Sequence, residues 1–186
     1  MALCAIVGTG PKIGSNLARA FAAEGFDIAP ISRDSSHQES VAAEIRQAGV
    51  AAYPREMDAT NAASTQEEFS ALIAEAGVPE VVIYNPAVMP MYSFAELTPA
   101  ALQEALPVMV HGAINTVQAV LPAMRQRGRG TILFTGGGFA VTPSVPRAPH
   151  SIAKAALRNY AHGLFLELEP ERIHVGTVTV HRPVEE

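Results

Sequence analysis

The segment of residues 6–14 constrains the fold most, because a short apolar strand runs into Gly8, Gly10 and Gly14 and then into a helical pattern. Glycine permits a tight turn and close backbone approach, and a helix N-terminus offers N–H groups and partial positive charge to an anion. This arrangement is typical of a dinucleotide pyrophosphate site, but it also occurs as an ordinary strand-to-helix turn. Its place near the start of the chain and the periodic apolar residues after it favour the dinucleotide site.

Length and composition predict one domain. The chain has 186 residues, of which 48% are hydrophobic, enough for a single three-layer core spanning residues 1–186. A formal net charge of −5 argues against a nucleic-acid-binding surface. The one basic cluster, Arg125, Arg127 and Arg129, is typical of a solvated helix end.

Cysteine, histidine and hydropathy patterns exclude several other classes. Cys4 is the only cysteine, so no disulfide framework or thiolate metal site is expected, and a reducing cytoplasmic location fits. The six histidines form no metal-binding motif, and we expect no metal. No basic leader precedes the first apolar segment, which is too short to span a membrane, so neither secretion nor insertion is predicted.

Strand and helix patterns alternate along the whole chain. Strands are predicted at residues 2–7, 26–31, 50–53, 81–84, 131–135 and 173–180. Thr65 and Glu68 form a capping signature for the third helix, and Thr98 begins a long helix to about residue 125 that Pro107 and Pro122 must kink or interrupt. The last helix is predicted at residues 151–168, after a loop at 136–149. Such alternation predicts an α/β fold, a doubly wound parallel sheet between two helical layers.

Several short motifs together resemble the short-chain dehydrogenase/reductase family over nearly the whole length. They are the glycine run 8–14, Asp58, the strand end Tyr84-Asn85-Pro86-Ala87, Leu121-Pro122-Ala123-Met124, the strand 130–135 and Lys154-Ala155-Ala156-Leu157. The resemblance implies a Rossmann-type sheet and an NAD(P)-dependent oxidoreductase that transfers hydride between the cofactor and a small carbonyl or alcohol substrate. It implies cofactor contacts from Gly8, Gly10, Lys12, Ile13, Gly14, Arg33, Asp58, Asn85 and Lys154.

The sequence departs from the family at the catalytic positions. Family members usually carry Asn, Ser, Tyr and Lys there, and this chain carries Met109, Gly137, His150 and Lys154. The tyrosine normally exchanges a proton with the substrate oxygen, and the serine orients that oxygen. Only the lysine is retained, so the resemblance implies an altered active site.

His150 and Lys154 are the candidate catalytic residues, four positions apart and therefore on one helix face. His150 could replace the phenol as a proton donor or acceptor, or be only a polar residue in the first helical turn. Lys154 is implied by the family to hold the nicotinamide ribose, with an exposed lysine as the alternative. A substitute hydroxyl could come from Thr135, Thr142, Ser144 or Ser151, whereas Met109 is expected to fill the core.

The residues after the second strand favour NADP over NAD. Ser32 stands where NAD-dependent family members tend to place an aspartate, and Arg33 follows it. A guanidinium suits a 2′-phosphate, and Lys12 adds charge. Asp34 opposes this choice if it turns inward.

Two functions remain open at this stage: an NADP-dependent oxidoreductase with an altered site, or a catalytically inactive NADP(H)-binding sensor or assembly protein. The resemblance implies a homodimer or homotetramer formed through the helices at 99–125 and 151–168. The second of these helices has apolar residues enough for both core and interface: Leu157, Leu164, Phe165 and Leu168. The family's substrate segment and last strand have no counterpart before Glu186, which indicates either their loss or a truncated product.

Overall fold

Six parallel strands form one sheet in the order β3-β2-β1-β4-β5-β6 in the computed structural model, which describes residues 1–180. The strands are β1 (Leu3–Val7), β2 (Asp27–Ser32), β3 (Arg55–Glu56), β4 (Val81–Tyr84), β5 (Gly130–Gly137) and β6 (Ile173–Val180). The α-helices are α1 (Ile13–Ala23), α2 (Ser35–Gln47), α3 (Ala62–Ala76), α4 (Pro99–Leu102), α5 (Gly112–Arg127) and α6 (Ala148–Leu168). The predicted doubly wound α/β fold is confirmed.

The strand order reverses at β1, and this reversal positions the site. Val7, the last residue of β1, pairs with Ile31 of β2 on one side and with Tyr84 of β4 on the other. The chain leaves these strands for opposite faces of the sheet, which opens a crevice beyond their carboxyl ends. Ligands of open α/β sheets bind in such a crevice.

Alternate residues of β1 contribute to two separate cores, one on each face of the sheet. Ala5 and Val7 pack in the core beneath α5 and α6, whereas Cys4 and Ile6 pack against α1 and α2. Burial raises the pKa of the Cys4 thiol to about 12, so this residue is an unreactive core side chain.

The third strand lies later in the chain than residues 50–53. The segment does run beside β2, since the Tyr53 amide donates to the Ile28 carbonyl at 2.8 Å, but only an isolated bridge forms there. Pro54 lacks an N–H, and Pro30 of β2 faces the same side as Ile28. The regular ladder therefore resumes only where Arg55 pairs with Ile31.

The prediction that Thr65 and Glu68 cap the start of the third helix was wrong. Asn61 caps α3, because its side-chain oxygen accepts a hydrogen bond from the Ser64 amide at 3.1 Å. Thr65 is buried one turn inside the helix and donates to the Asn61 carbonyl at 2.8 Å. Both residues are good caps in sequence, and the earlier one begins the helix.

The long helix predicted from Thr98 is interrupted. Thr98 caps α4 as expected, but the helix ends at Leu102, and a π-helical turn at Pro107–His111 leads into α5. Pro107 supplies the interruption, whereas Pro122 is accommodated inside α5. Taken together, Pro99–Arg127 has the length and hydropathy of a membrane span, but its buried face belongs to the core of the domain.

Two boundaries near the site also differ from expectation. Strand β5 continues to Gly137, two residues further than predicted, and α6 begins at Ala148, three residues earlier. Of the apolar residues expected to serve both core and interface, Leu157, Leu164 and Leu168 are buried in the core, and Phe165 packs against that core. The expected absence of a segment after β6 concerns residues 181–186, which lie outside the described part of the chain.

Candidate active site

A cleft of about 920 Å³ lies beyond the carboxyl ends of β1, β2, β4 and β5. All of the residues that the sequence analysis assigned to cofactor or catalysis line it: Gly8, Gly10, Lys12, Ile13, Gly14, Arg33, Asp58, Asn85, His150 and Lys154. The fold therefore brings together residues that are up to 146 positions apart in the sequence, from Gly8 to Lys154.

The glycine turn at the floor of the cleft has little room for side chains. Gly8 has φ +82°, and a Cβ there would lie 2.9 Å from the Pro86 ring. A Cβ on Gly14 would lie 2.7 Å from the Gly8 carbonyl oxygen, so α1 packs directly on the turn. Gly10 faces open space. The Gly10 amide donates to the Gly8 carbonyl at 2.9 Å, and the Gly10 carbonyl accepts from the Ser15 amide at 3.0 Å. Two glycines thus serve packing and conformation, and the third leaves space for a ligand to approach the turn.

Hydrogen bonds fix this turn to the neighbouring strands. The Thr9 hydroxyl is buried, donates to the Ile6 carbonyl at 2.8 Å and accepts from the Ile31 amide at 3.1 Å. The Asn85 side-chain NH₂ donates to the Gly8 carbonyl at 2.8 Å. Asn85 therefore supports the turn, and its side-chain carbonyl oxygen is the atom left for a ligand.

The residues predicted to set the cofactor preference lie where β2 leads into the cleft. Ser32 is held by Gln38, whose buried side-chain oxygen accepts from the Ser32 amide at 2.9 Å. Asp34 caps α2 by accepting from the Ser36 amide at 3.0 Å and the His37 amide at 3.3 Å. Asp34 is thus engaged as a cap, whereas Arg33 of the same turn forms no ion pair with any described residue of the chain.

Asp58 is held ionised beside the cleft. Its carboxylate accepts from the Thr60 amide at 2.9 Å and the Thr60 hydroxyl at 2.8 Å. The hydrogen bond from the Thr60 amide is the main cause that lowers the pKa of Asp58, and the positive charge of Arg33 makes a smaller contribution. The carboxylate can therefore accept hydrogen bonds from a ligand but cannot donate one.

Lys154 is buried where β5 and α6 border the cleft, the predicted catalytic end, and is not the exposed lysine of the alternative interpretation. Its Nζ donates to the Thr135 carbonyl at 2.6 Å, and only 4% of the residue is exposed. Burial lowers the pKa of Lys154 from 10.5 to about 8. The ammonium is thus still protonated at neutral pH but gives up its proton more readily than a surface lysine.

His150 is also buried, with a defined tautomer. Its Nδ1 lies 2.7 Å from the Val88 carbonyl oxygen, which can only accept, so Nδ1 carries the proton and Nε2 is the nitrogen left for a ligand. Burial lowers the pKa of His150 below 6.5, the charges of Lys154 and Arg147 lower it further, and the bond to Val88 opposes them. At neutral pH the ring is therefore neutral, and Nε2 is a proton acceptor.

The structure offers no simple substitute for the missing serine. Of the four candidate hydroxyl residues, only Thr135 lines the cleft, and its Oγ1 approaches the Tyr84 carbonyl at 3.4 Å. Because Gly137 has no side chain, the space between it and the aliphatic part of Lys154 is unfilled. A Cβ at this position would lie 3.8 Å from Lys154 Cγ, which is ordinary van der Waals contact. Met109 is fully buried in a small apolar cluster, as expected.

Three residues of the site were missed from the sequence. Val88 acts through a backbone carbonyl, which no sequence pattern reveals. Thr9 lies inside the glycine run, but nothing in the run indicates its two hydrogen bonds to neighbouring strands. Arg147 lines the cleft three residues before His150, and its proximity to the predicted site was the available signal.

The cleft residues fit a phosphorylated dinucleotide. Gly10 leaves open space beside the N-terminal end of α1, and Lys12 and Arg33 line the cleft without an ion pair to any carboxylate of residues 1–180. An open backbone turn flanked by free cations suits phosphate groups. Within the same residues, no group of three or more His, Cys, Asp or Glu side chains could hold a metal ion.

Comparison with known proteins agrees with this architecture. A very-long-chain 3-oxoacyl-CoA reductase from Phaeosphaeria nodorum is 30% identical over 185 residues, which cover 95% of this chain and 53% of the relative. A probable oxidoreductase, EphD, from Mycobacterium tuberculosis is 28% identical over 177 residues, covering 95% of this chain and 30% of the relative. The chain thus spans between about a third and a half of the length of these two curated relatives.

Solved structures share the same fold. The crystal structure of a 3-ketoacyl-ACP reductase from Sinorhizobium meliloti is 27% identical, with a TM-score of 0.89 over 95% of this chain and 71% of that one. A short chain oxidoreductase from Pseudomonas aeruginosa, described as containing an atypical catalytic center, is 22% identical, with a TM-score of 0.90 over 96% of this chain and 69% of that one. The family model for short chain dehydrogenases matches residues 3–181. This chain therefore belongs to the short-chain dehydrogenase family of oxidoreductases.

Proposed function

We propose that this protein is an NADP(H)-dependent oxidoreductase that interconverts a carbonyl compound and an alcohol, with His150 in the place of the usual tyrosine. The observation that carries the proposal is the joint burial of His150 and Lys154 in one cleft with the glycine turn. Buried titratable groups with shifted pKa values are costly to maintain and are concentrated at functional sites.

The proposed cofactor contacts follow from the free groups of the cleft. The backbone around Gly10 binds the pyrophosphate, Arg33 and Lys12 bind the 2′-phosphate, Asp58 and Asn85 accept hydrogen bonds, and Lys154 holds the nicotinamide ribose. When bound, the nicotinamide supplies or takes up the hydride. The solved structures of an alcohol dehydrogenase from Thermococcus sibiricus with 5-hydroxy-NADP and of a xylitol dehydrogenase with NAD⁺ both have this fold. The fold therefore does not decide between the two cofactors, and the proposed preference for NADP depends on Arg33 and Lys12.

His150 is the proposed site of proton exchange with the substrate oxygen. Neutral Nε2 is ready to accept the hydroxyl proton of an alcohol, because Nδ1 is already bonded to Val88. Carbonyl reduction requires the imidazolium, which burial and the charges of Lys154 and Arg147 disfavour. Alcohol oxidation is therefore the favoured direction at neutral pH, and reduction gains as the pH falls below 6.5.

The test is a pH profile of turnover in both directions, with a panel of aldehydes, ketones and alcohols. For the wild type, oxidation should rise with pH through a group that titrates below 6.5, and reduction should fall through the same group. The variant His150→Ala should lose activity in both directions by a factor of about 10² to 10⁴, the contribution of a positioned proton donor or acceptor. Unchanged turnover in His150→Ala would contradict the assignment.

A restored variant separates weak catalysis from none. Gly137 has an extended backbone, and a Cβ there would have room beside Lys154. The double substitution Gly137→Ser and His150→Tyr therefore restores the Ser, Tyr and Lys of the family set and leaves Met109 at the position of the Asn. The restored protein should reduce carbonyl compounds with NADPH faster than the wild type does at pH 8, where His150 is neutral. If native and restored proteins both bind NADPH and neither turns over, the inactive sensor or assembly role replaces the enzyme proposal.

Location and assembly belong to the same proposal. A single unreactive cysteine fits a reducing compartment, and we propose the cytoplasm. We also propose that the protein forms a homodimer or homotetramer, as the family resemblance implies.

A further inference from the structure

The cations that line the cleft differ from most of those outside it. Within residues 1–180, six of the eight cationic side chains outside the cleft form ion pairs, and Arg158 and Arg172 do not. The following arginines each form an ion pair with a glutamate: Arg19, Arg46, Arg55, Arg125, Arg127 and Arg129. Within residues 1–180, the cleft-lining Lys12, Arg33, Arg147 and Lys154 form none. In a chain with net charge −5, unpaired cations gathered in one cleft indicate anionic ligands.

These four cations belong to different parts of the cleft. Lys12 precedes α1 and Arg33 follows β2, next to the glycine turn, and the proposed cofactor phosphates account for both. Lys154 is engaged with the Thr135 carbonyl. Arg147 lies directly before α6, near enough to His150 for its charge to lower the pKa of that ring. It is therefore the cation of the catalytic end that the proposed cofactor leaves unused.

The backbone of Arg147 is held in place. Its amide donates to the Ser144 carbonyl at 3.0 Å, and its carbonyl accepts from the Ser151 hydroxyl at 3.0 Å. The next amide, of Ala148, donates to the Tyr92 carbonyl at 2.9 Å. Within residues 1–180 the guanidinium donates to one acceptor, the Met89 sulfur at 3.3 Å, and sulfur is a weak acceptor. A positioned guanidinium with weak protein contacts is suited to an anion from a ligand.

Apolar side chains surround this end of the cleft. Val88, Met89 and Phe139 line it. The two loops that carry them also expose Met91 at 62% and Val141 at 66%. Exposed large apolar side chains beside a cleft mark a binding surface for an apolar ligand.

We propose that the substrate carries an apolar chain and an anionic group, a carboxylate or a phosphate, in addition to the reacting carbonyl or hydroxyl, and that Arg147 binds the anionic group. This inference rests on the proposed function for the reaction, but the binding of the chain and its anion can be measured without turnover. Arg147 is thereby a specificity residue of the substrate site.

The experiment is titration calorimetry on the protein saturated with NADP⁺, with octanoate, octyl phosphate and 1-octanol as probes. An anionic probe should bind the wild type at least tenfold more tightly than 1-octanol, the effect of one charge-assisted contact. Arg147→Gln should remove that difference and leave 1-octanol binding unchanged. The matched control is Arg158→Gln, because Arg158 is exposed on α6, the helix that Arg147 precedes, lies outside the cleft and forms no ion pair within residues 1–180.

The outcomes separate this inference from the proposed function. A difference between octanoate and octyl phosphate identifies which anion the site takes. Equal binding of anionic and neutral probes, no binding of either anion, or an effect of Arg158→Gln equal to that of Arg147→Gln would overturn the inference. If the anions bind through Arg147 but neither an eight-carbon oxo acid nor its hydroxy acid turns over, the binding site stands and the proposed activity fails. Thermal unfolding of Arg147→Gln within a few degrees of the wild type confirms that the variant is folded.

Discussion

At the scale of single residues, the burial of Lys154 lowers the stability of the folded protein. A lysine whose folded pKa is about 8, against 10.5 in the unfolded chain, destabilises the fold at neutral pH, because the unfolded state binds the proton more tightly. The difference of about 2.5 pKa units corresponds to about 3 kcal/mol, part of which the bond to Thr135 offsets. A stability cost of this kind is expected for a residue that acts in the cleft, the role proposed for Lys154.

We therefore expect Lys154→Met to stabilise the protein at pH 7 by about 1–2 kcal/mol while it abolishes turnover. Wild-type stability relative to the variant should rise between pH 8 and pH 10.5, since only the unfolded wild type is protonated there. Urea denaturation at several pH values measures both effects. A variant less stable than the wild type at every pH would show that Lys154 is mainly a structural residue.

Arg33 decides the proposed cofactor preference at the same scale. Removal of its guanidinium should weaken NADPH binding about tenfold or more, because a charge-assisted bond to phosphate contributes about 1.5–3 kcal/mol. NADH binding should be unaffected, and Arg158→Ala is the control for a general loss of positive charge. Calorimetry with both cofactors is the measurement, and equal losses for NADPH and NADH would contradict the assignment to the 2′-phosphate.

At the scale of elements, the contact between β4 and α5 depends on a residue with no side chain. The Tyr84 hydroxyl donates to the Val108 carbonyl in the π-helical turn and lies against Gly112, the first residue of α5. A Cβ on Gly112 would overlap that hydroxyl and would lie 3.2 Å from the Ala59 Cβ. The close approach explains why a glycine opens this helix.

Gly112→Ala should therefore destabilise the protein by about 1–3 kcal/mol, the usual cost of overpacking a core. Tyr84→Phe removes the overlapping oxygen, so the double variant should recover part of the loss, while the contact with Ala59 persists. Chemical denaturation of the two single variants and the double variant forms a double-mutant cycle. Purely additive effects would show that the hydroxyl is not the obstacle.

At the scale of the whole molecule, the fold limits which surface a dimer or tetramer can use. The sequence assigned Leu157, Leu164 and Leu168 partly to an interface, and the fold uses all three in its core. An interface through α5 and α6 must therefore use the opposite faces of these helices, where Leu166 is 61% exposed. This assignment restricts the contact to a narrower surface than the sequence indicated.

We expect a dimer or tetramer in light scattering, with mass a multiple of 19.6 kDa. Leu166→Glu should shift the population toward smaller species if α6 takes part, because it buries a charge at the contact. Leu166 is exposed within the described chain, so the fold itself should tolerate the change. A mass near 19.6 kDa at all concentrations would argue against assembly.

Local patterns in the sequence determined the order of the elements and the residues of the cofactor end. The signals that predicted the parallel sheet and its crevice depend only on residues close together in sequence. They are the glycines at 8, 10 and 14, the apolar strands and the alternation of elements. Boundaries were less accurate where two good signals competed, as with Asn61 and Thr65, or where backbone bonds were lost at Pro54.

Tertiary structure alone decided the chemistry of the catalytic end. His150 and Lys154 were visible as a pair, but their burial, the tautomer fixed by the Val88 carbonyl and the pKa values that follow depend on elements distant in sequence. Arg147 became a candidate only when the fold placed it without an acidic partner in the described chain, beside an apolar cleft. The physical reason is that solvation and charge at a site are sums over all neighbours in space, and sequence spacing records only those along the chain.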